Sequence, residues 1–251
     1  MNIDYPTQQQ LPALRTLWQE AFGDDDGFLD EFYTVAFAPD RCRCVSVEGE
    51  PVAALYWFDC QVNGMPVAYL YAVATAAAHR GKGFCRGLME NTHAHLAYLG
   101  YAGAVLVPGT KDLFDLYASL GYKTCGWISE FSCAAAEHPA SLRAVDAVEF
   151  AALRRRYLPA GAVVQEGANL DFLQTMARFY AGDDFLLTVS AGDGKFFAPE
   201  LLGNVLAAPS ILTAFGKKEG LFRAPGTQKP FAMYRTLGNG SVPTYFGLAF
   251  D

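Results

Sequence analysis

Apolar residues recur at helical spacing twice near the start of the chain. Leu11, Leu14, Leu17, Trp18 and Phe22 share one face of a helix over 7–22. Thr7 suits its N-cap, and Gly23-Asp24-Asp25-Asp26 suits its end. Phe28, Leu29, Phe32, Tyr33 and Val35 predict a second, shorter helix. The texture then changes to strand over 42–47, 52–62 and 65–74. Glu48-Gly49-Glu50-Pro51 joins the first two strands. Asn63-Gly64, the residue pair of a tight hairpin turn, joins the second to the third. A helix over 84–99 follows, with Cys85, Leu88, Met89, Thr92, Leu96 and Leu99 as its apolar stripe. A strand over 102–107 stops at Pro108-Gly109. A short helix over 113–120 ends at Gly121, and Tyr122 returns to strand.

Past residue 130 the pattern restarts. Asp146 and Glu149 have the spacing of a capping box at the head of a helix over 146–157. A helix over 169–180, a hairpin around Gly192-Asp193-Gly194, short helices over 199–207 and 209–215, and strands over 220–224, 231–236 and 244–250 complete the reading. The predicted organisation is a first domain over 1–130, a connection over 131–145 and a second unit over 146–251. Helices, meandering strands and then alternating helix and strand predict an α/β (α+β) fold with a mixed central sheet.

Composition excludes some roles. With 52% hydrophobic and 18% charged residues the chain has the make-up of a globular protein. A net charge of −7 argues against nucleic acid as a partner and is compatible with a cationic one. No apolar run approaches the roughly 18 residues of a membrane span, and the first ten residues are polar, so a cytoplasmic, non-membrane protein is expected. Cys42, Cys44, Cys60, Cys85, Cys125 and Cys133 form no CxxC pair and predict reduced thiols. His93 and His95 are two apart on a helix and face different ways, so no metal is expected there.

The candidate chemistry lies at Arg80-Gly81-Lys82-Gly83, where a strand ends and a helix begins. Consecutive N–H groups at a glycine-rich turn opening a helix form an anion nest, and Arg80, Lys82 and Arg86 add positive charge. A diphosphate is the natural ligand. The Gly-Lys-Ser/Thr ending of an ATP-binding loop is absent, and Gly81, Gly83 and Gly87 are spaced one residue too long for a dinucleotide fingerprint.

Residues 70–90 resemble the acetyl-CoA motif of the GNAT acyltransferase superfamily, Arg/Gln-x-x-Gly-x-Gly/Ala after a strand and opening a helix. Arg80 and Gly83 match, and Cys85 replaces the final small residue. Leu116-Tyr117-Ala118-Ser119-Leu120-Gly121-Tyr122 is similar to the family's LYxxLGF segment, with tyrosine in place of the last phenylalanine. The sequence after 145 is compatible with the second, degenerate GNAT-like unit of the Eis-like bacterial branch. The resemblance implies an N-acetyltransferase that moves an acetyl group from acetyl-CoA to a primary amine of a small molecule or peptide by direct attack. A non-catalytic CoA-binding or regulatory module is the alternative. It further implies that Val73 and Thr75 hold the pantetheine arm. Arg80, Gly81, Lys82, Gly83, Phe84, Cys85 and Arg86 would take the pyrophosphate. Tyr117 would be the general acid, and Asp251 would supply a carboxylate base, with Glu130 a second candidate. The second unit has no equivalent turn, so one CoA site is expected. Composition and pattern do not indicate an oligomeric state.

Overall fold

The computed structural model describes residues 2–192 and 194–250. The chain divides into two compact units. One contains the residues up to Lys123 together with Met233–Ser241. The other contains Thr124–Ala232 together with the residues from Val242 onward.

The first unit begins with β1 (Asn2–Asp4), α1 (Leu11–Phe22) and α2 (Asp26–Val35). A meander of β2 (Cys42–Val47), β3 (Glu50–Val62) and β4 (Met65–Thr75) follows. It continues with α3 (Phe84–Tyr98), β5 (Gly103–Leu106) and α4 (Lys111–Ser119). Thr7 sits where the first helix was expected to be capped, and its N–H donates to Gln10 Oε1 at 3.0 Å. Gly23 ends α1 with a φ of 78°. The β3–β4 hairpin turns at Asn63 and Gly64, whose φ values of 50° and 78° are both positive, as a tight two-residue turn requires.

β3 is buried on both faces, so it reads as a continuous apolar run rather than an alternation. Ala53, Leu55 and Trp57 join Leu88, Met89 and Leu96 of α3 in one core. Tyr56 turns the other way and packs on Trp18 and Phe32 of α1 and α2, at centroid distances of 5.0 and 5.3 Å. β1, β2, β3 and β4 pair antiparallel in sequence order, and β4 then pairs parallel with β5.

The second unit contains β6 (Lys123–Ala134), β7 (Leu142–Val145), α5 (Ala147–Tyr157), β8 (Val164–Gln165) and α6 (Ala168–Met176). After these come β9 (Ala177–Gly182), β10 (Phe185–Ser190), β11 (Phe196–Ala198), β12 (Glu200–Gly203), α7 (Ala208–Ala214), β13 (Glu219–Pro225) and β14 (Lys229–Thr236). β12, β10, β9 and β7 form a separate antiparallel sheet. The last residues of β14 belong to the first unit, where Met233–Thr236 pair antiparallel with β5.

Several local expectations are corrected. The helix over 169–180 ends at Met176, because Ala177–Gly182 pairs with β10 and β7 instead. The hairpin around Gly192-Asp193-Gly194 does not form a ladder. β10 pairs with β9 and β12, whereas β11 pairs in parallel with β13. Asp193 lies outside the described residues. The helix over 199–207 is the strand β12 followed by a single tight turn, Val205–Ala207. Residues 244–250 join no strand ladder, although Tyr245, Phe246, Leu248 and Phe250 are buried. The stretch 131–145 contains the end of β6 and all of β7.

Candidate active site

The site begins with an irregularity in β4. Ala54 pairs with Ala74 and Tyr56 with Tyr71, so Ala72 and Val73 together oppose Leu55. One extra residue in a strand is a β-bulge, and Ala72 within it takes a positive φ of 49°. The bulge inverts the alternation. Ala68 and Leu70 face the α3 core before it, and Val73 packs against the same core after it. Tyr71, Ala72 and Val73 are half-buried in a strand whose preceding residues, Val67–Leu70, are buried. The parallel ladder to β5 covers only Val67 to Tyr69. Beyond Tyr69 the two strands part, and the bulged segment of β4 has no partner on that side among the described residues.

β4 runs from this opening into the glycine turn. Gly81 and Gly83 have φ values of 73° and 81°, and a Cβ added at either would meet nothing within 4 Å. The turn therefore needs glycine for its backbone shape, and the space before it is open. Gly83 is the N-cap of α3 and supplies no side-chain cap. The first intrahelical donor at this end is Gly87 N–H, which reaches Gly83 O at 3.0 Å. The earlier N–H groups of the first turn point out of the helix end, at the positive pole of its dipole. Thr75 Oγ1, buried where β4 enters the loop, has no hydrogen-bond partner among the described residues. Open glycines, an uncapped helix start and a partnerless hydroxyl suit an anionic ligand with an amide-bearing arm, so these residues fit acetyl-CoA.

The basic side chains are partly engaged. Arg80 Nε donates to Thr75 O at 3.0 Å, and Lys82 Nζ donates to Ala78 O at 2.9 Å, so both fold over the loop they follow. Arg86 Nη2 donates to Ser119 Oγ at 3.0 Å, and its other nitrogen lies 3.7 Å from Glu90. It thereby ties the first turn of α3 to the end of α4. Phe84 packs on the core beside the His79 ring at 5.7 Å.

Tyr117 projects from α4 into the same core and is 7% exposed. Burial pushes its phenol well above the usual tyrosine range, and the Cys85 thiol beside it adds to the rise. Burial likewise raises the Cys85 thiol, which Arg86 partly opposes. The Tyr117 hydroxyl has no hydrogen-bond partner among the described residues.

The structure thus gathers Val73, Thr75, the 80–86 turn and Tyr117 in one unit. Asp251 lies outside the described residues. Glu130 is in the second unit, and it is bound rather than free. Lys229 Nζ donates to it at 2.7 Å and Arg223 Nε at 3.3 Å. The Lys229 bond, assisted by Arg223, holds its carboxyl below the usual range and makes it a weak base. Glu20 was not anticipated. It reaches from α1 to accept the Ala77 N–H at 2.6 Å, steadying the loop before Arg80. No local sequence signal marks a contact between residues so far apart in the chain. Among the described residues no cluster could hold a metal ion, and no helix is long and apolar enough to cross a membrane.

The acetyltransferase (GNAT) domain family matches residues 2–125. A GCN5-related N-acetyltransferase from Kribbella flavida superposes with a TM-score of 0.74 at 21% identity, covering 94% of this chain and 71% of that one. Another from Anabaena variabilis gives a TM-score of 0.75 at 15% identity, with 94% and 72% covered. Eis1 from Mycobacterium abscessus gives 0.65 at 14% identity, with 94% and 74% covered. A search of curated proteins found no match. At these identities the superpositions speak for the fold. The family match falls on the segment that carries the bulge, the glycine turn and Tyr117, and residues 2–125 of this chain are a GNAT-family acetyltransferase domain.

Proposed function

We propose that this chain transfers an acetyl group from acetyl-CoA to a primary amine by direct attack. The observation that carries this reading is the bulge at Ala72–Val73, which opens β4 beside the uncapped start of α3 and in the same core as Tyr117. Acetyl-CoA would bring an activated thioester carbonyl. The chain's own contribution is to hold, orient and protonate. N–H groups across Arg80 to Arg86 suit the pyrophosphate, with the helix dipole adding roughly half a positive charge. A backbone N–H near Val73, at the bulge, suits the oxygen that gains charge as the amine attacks. Gly81, Lys82, Phe84 and Cys85 contribute backbone and packing, and Thr75 offers its hydroxyl to the arm.

Tyr117 donates its proton to the departing thiolate. Its raised pKa keeps it protonated through neutral pH, so it is in the donating form. Asp251 is the proposed base that takes a proton from the ammonium before attack. The same burial disfavours the phenolate, so the second proton, lost by the nitrogen after attack, restores Tyr117. The proposed acceptor is a cationic small-molecule or peptide amine, in keeping with a net charge of −7, and the proposed setting is cytoplasmic.

The test is release of free CoA from acetyl-CoA over a panel of aminoglycosides, polyamines, amino acids and peptides. Release that depends on one class of amine is the expected result. Tight acetyl-CoA binding without turnover across the panel would favour the non-catalytic alternative, and no binding would overturn both.

A further inference from the structure

Tyr117 has no hydrogen bond of its own among the described residues, yet the residues just after it are firmly tied. Ser119 accepts from Arg86, and the Leu120 carbonyl accepts from Arg235 Nη1 at 2.5 Å. Tyr122 is 2% exposed, and its hydroxyl lies 2.7 Å from Nε2 of His93 on the inner face of α3. His93 is itself only 3% exposed. The Tyr122 ring meets the Tyr117 ring edge-on, with centroids 5.8 Å apart and planes at 63°.

A phenylalanine would fill the position of Tyr122, and the segment this stretch resembles has one there. The tyrosine brings a hydroxyl into the core, which is unfavourable unless it is bonded. His93 provides that bond and is equally buried. Packing fixes the volume of a ring, whereas a hydrogen bond at its tip also fixes its tilt and reach. The ring so fixed is the one against which Tyr117 rests.

We infer that the buried Tyr122–His93 pair is a positioning device that sets the orientation of Tyr117 from the second layer of the site. Neither residue touches the reacting atoms. The inference rests on the reading of Tyr117 as the general acid.

The experiment is a kinetic double-mutant cycle on the full chain with acetyl-CoA and an amine found active in the panel. Tyr122→Phe is made alone, in a Tyr117→Phe background and together with His93→Leu. The last variant removes both polar partners, so that no orphaned group is left to destabilise the core. Tyr122→Phe and Tyr122→Phe/His93→Leu should each lower kcat by about tenfold with the KM for acetyl-CoA within about twofold, a fraction of the 10²–10⁴ typical of a general acid. In the Tyr117→Phe background Tyr122→Phe should cause no further loss, the mark of coupled residues. A folded Tyr122→Phe/His93→Leu protein with full kcat would overturn the inference. So would an equal further loss on top of Tyr117→Phe, which would assign the pair a role unrelated to that residue. If Tyr117→Phe itself leaves kcat unchanged, the acid reading fails first and takes this inference with it, so the two failures are distinguishable.

Discussion

Two helix N-termini in this chain solve the same problem in opposite ways. α5, in the second unit, begins at Asp146, whose carboxylate accepts the Glu149 N–H at 2.8 Å. Its helix start is satisfied from within. α3, in the first unit, begins at Gly83, which has no side chain to offer, and open space lies before it. Both ends carry the same dipole and the same surplus of N–H groups. The first is closed by the fold, and the second is left for an anion from outside. The contrast extends to buried charge. In the second unit Arg154 and Glu200 are both 1% exposed and paired in a two-point contact at 2.7 and 2.9 Å, with the Tyr245 hydroxyl donating to Glu200 at 3.1 Å. In the first unit the cations nearest the glycine turn are exposed and held mainly by loop carbonyls. Polar groups closed among themselves maintain structure, whereas polar groups left open beside a strand irregularity are available for chemistry.

The largest effect that would break this contrast is in the second unit. Arg154→Met should leave Glu200 buried with an uncompensated charge and cost about 3–5 kcal/mol of stability in urea unfolding. A change below about 1 kcal/mol would mean that the pair is not closed in the way described.

The next effect is at the open end. Gly83→Glu with Arg80→Ala forces a side chain onto a φ of 81° and puts a carboxylate where an anion should sit. Acetyl-CoA affinity by calorimetry should fall by more than about 100-fold, equivalent to about 2.7 kcal/mol. Unchanged affinity would mean that α3 does not receive the pyrophosphate.

Smaller per pH unit is the effect of His93, whose pKa burial and the Arg235 cation push down to about 3 from an ordinary value of 6.5. The folded state binds this proton less readily than the unfolded one. The stability that neutral His93 contributes is therefore complete above pH 6.5 and declines as pH falls from 6.5 towards 3. The slope is about 1.4 kcal/mol per pH unit from this group. His93→Leu combined with Tyr122→Phe should flatten that arm of the stability profile. An identical slope would assign the acid sensitivity to other groups.

The smallest effect sharpens the comparison at α5. Asp146→Ala removes a cap and should cost about 1 kcal/mol, with little consequence for acetyl-CoA binding. A large loss of binding would contradict the reading of this end as purely structural.

Much of the first unit was legible because its signals are local. The helical stripe of Leu14, Leu17 and Trp18, the Asn63-Gly64 turn and the glycines at 81 and 83 each depend on neighbours a few residues away. The second unit was less legible. Thr175-Met176-Ala177-Arg178-Phe179-Tyr180 satisfies helical spacing as readily as strand alternation, and the neighbouring strands β10 and β7 decide for strand from Ala177 onward. Glu200–Gly203 is likewise ambiguous in sequence, and its pairing with β10 makes it a strand. The bulge at Ala72 carries no glycine or proline to announce it.

By itself, then, the sequence determined the glycine turn between β4 and α3, the Tyr117 segment, and the domain family to which they belong. These are short-range patterns whose conformations follow from backbone sterics and side-chain spacing. Tertiary structure decided the rest. It placed Tyr117 beside Cys85, linked Arg86 to Ser119, bound Glu130 to Lys229, and set Tyr122 on His93. Each of these needs two segments brought together by the burial of a shared core, and a contact of that kind leaves no periodicity in either segment.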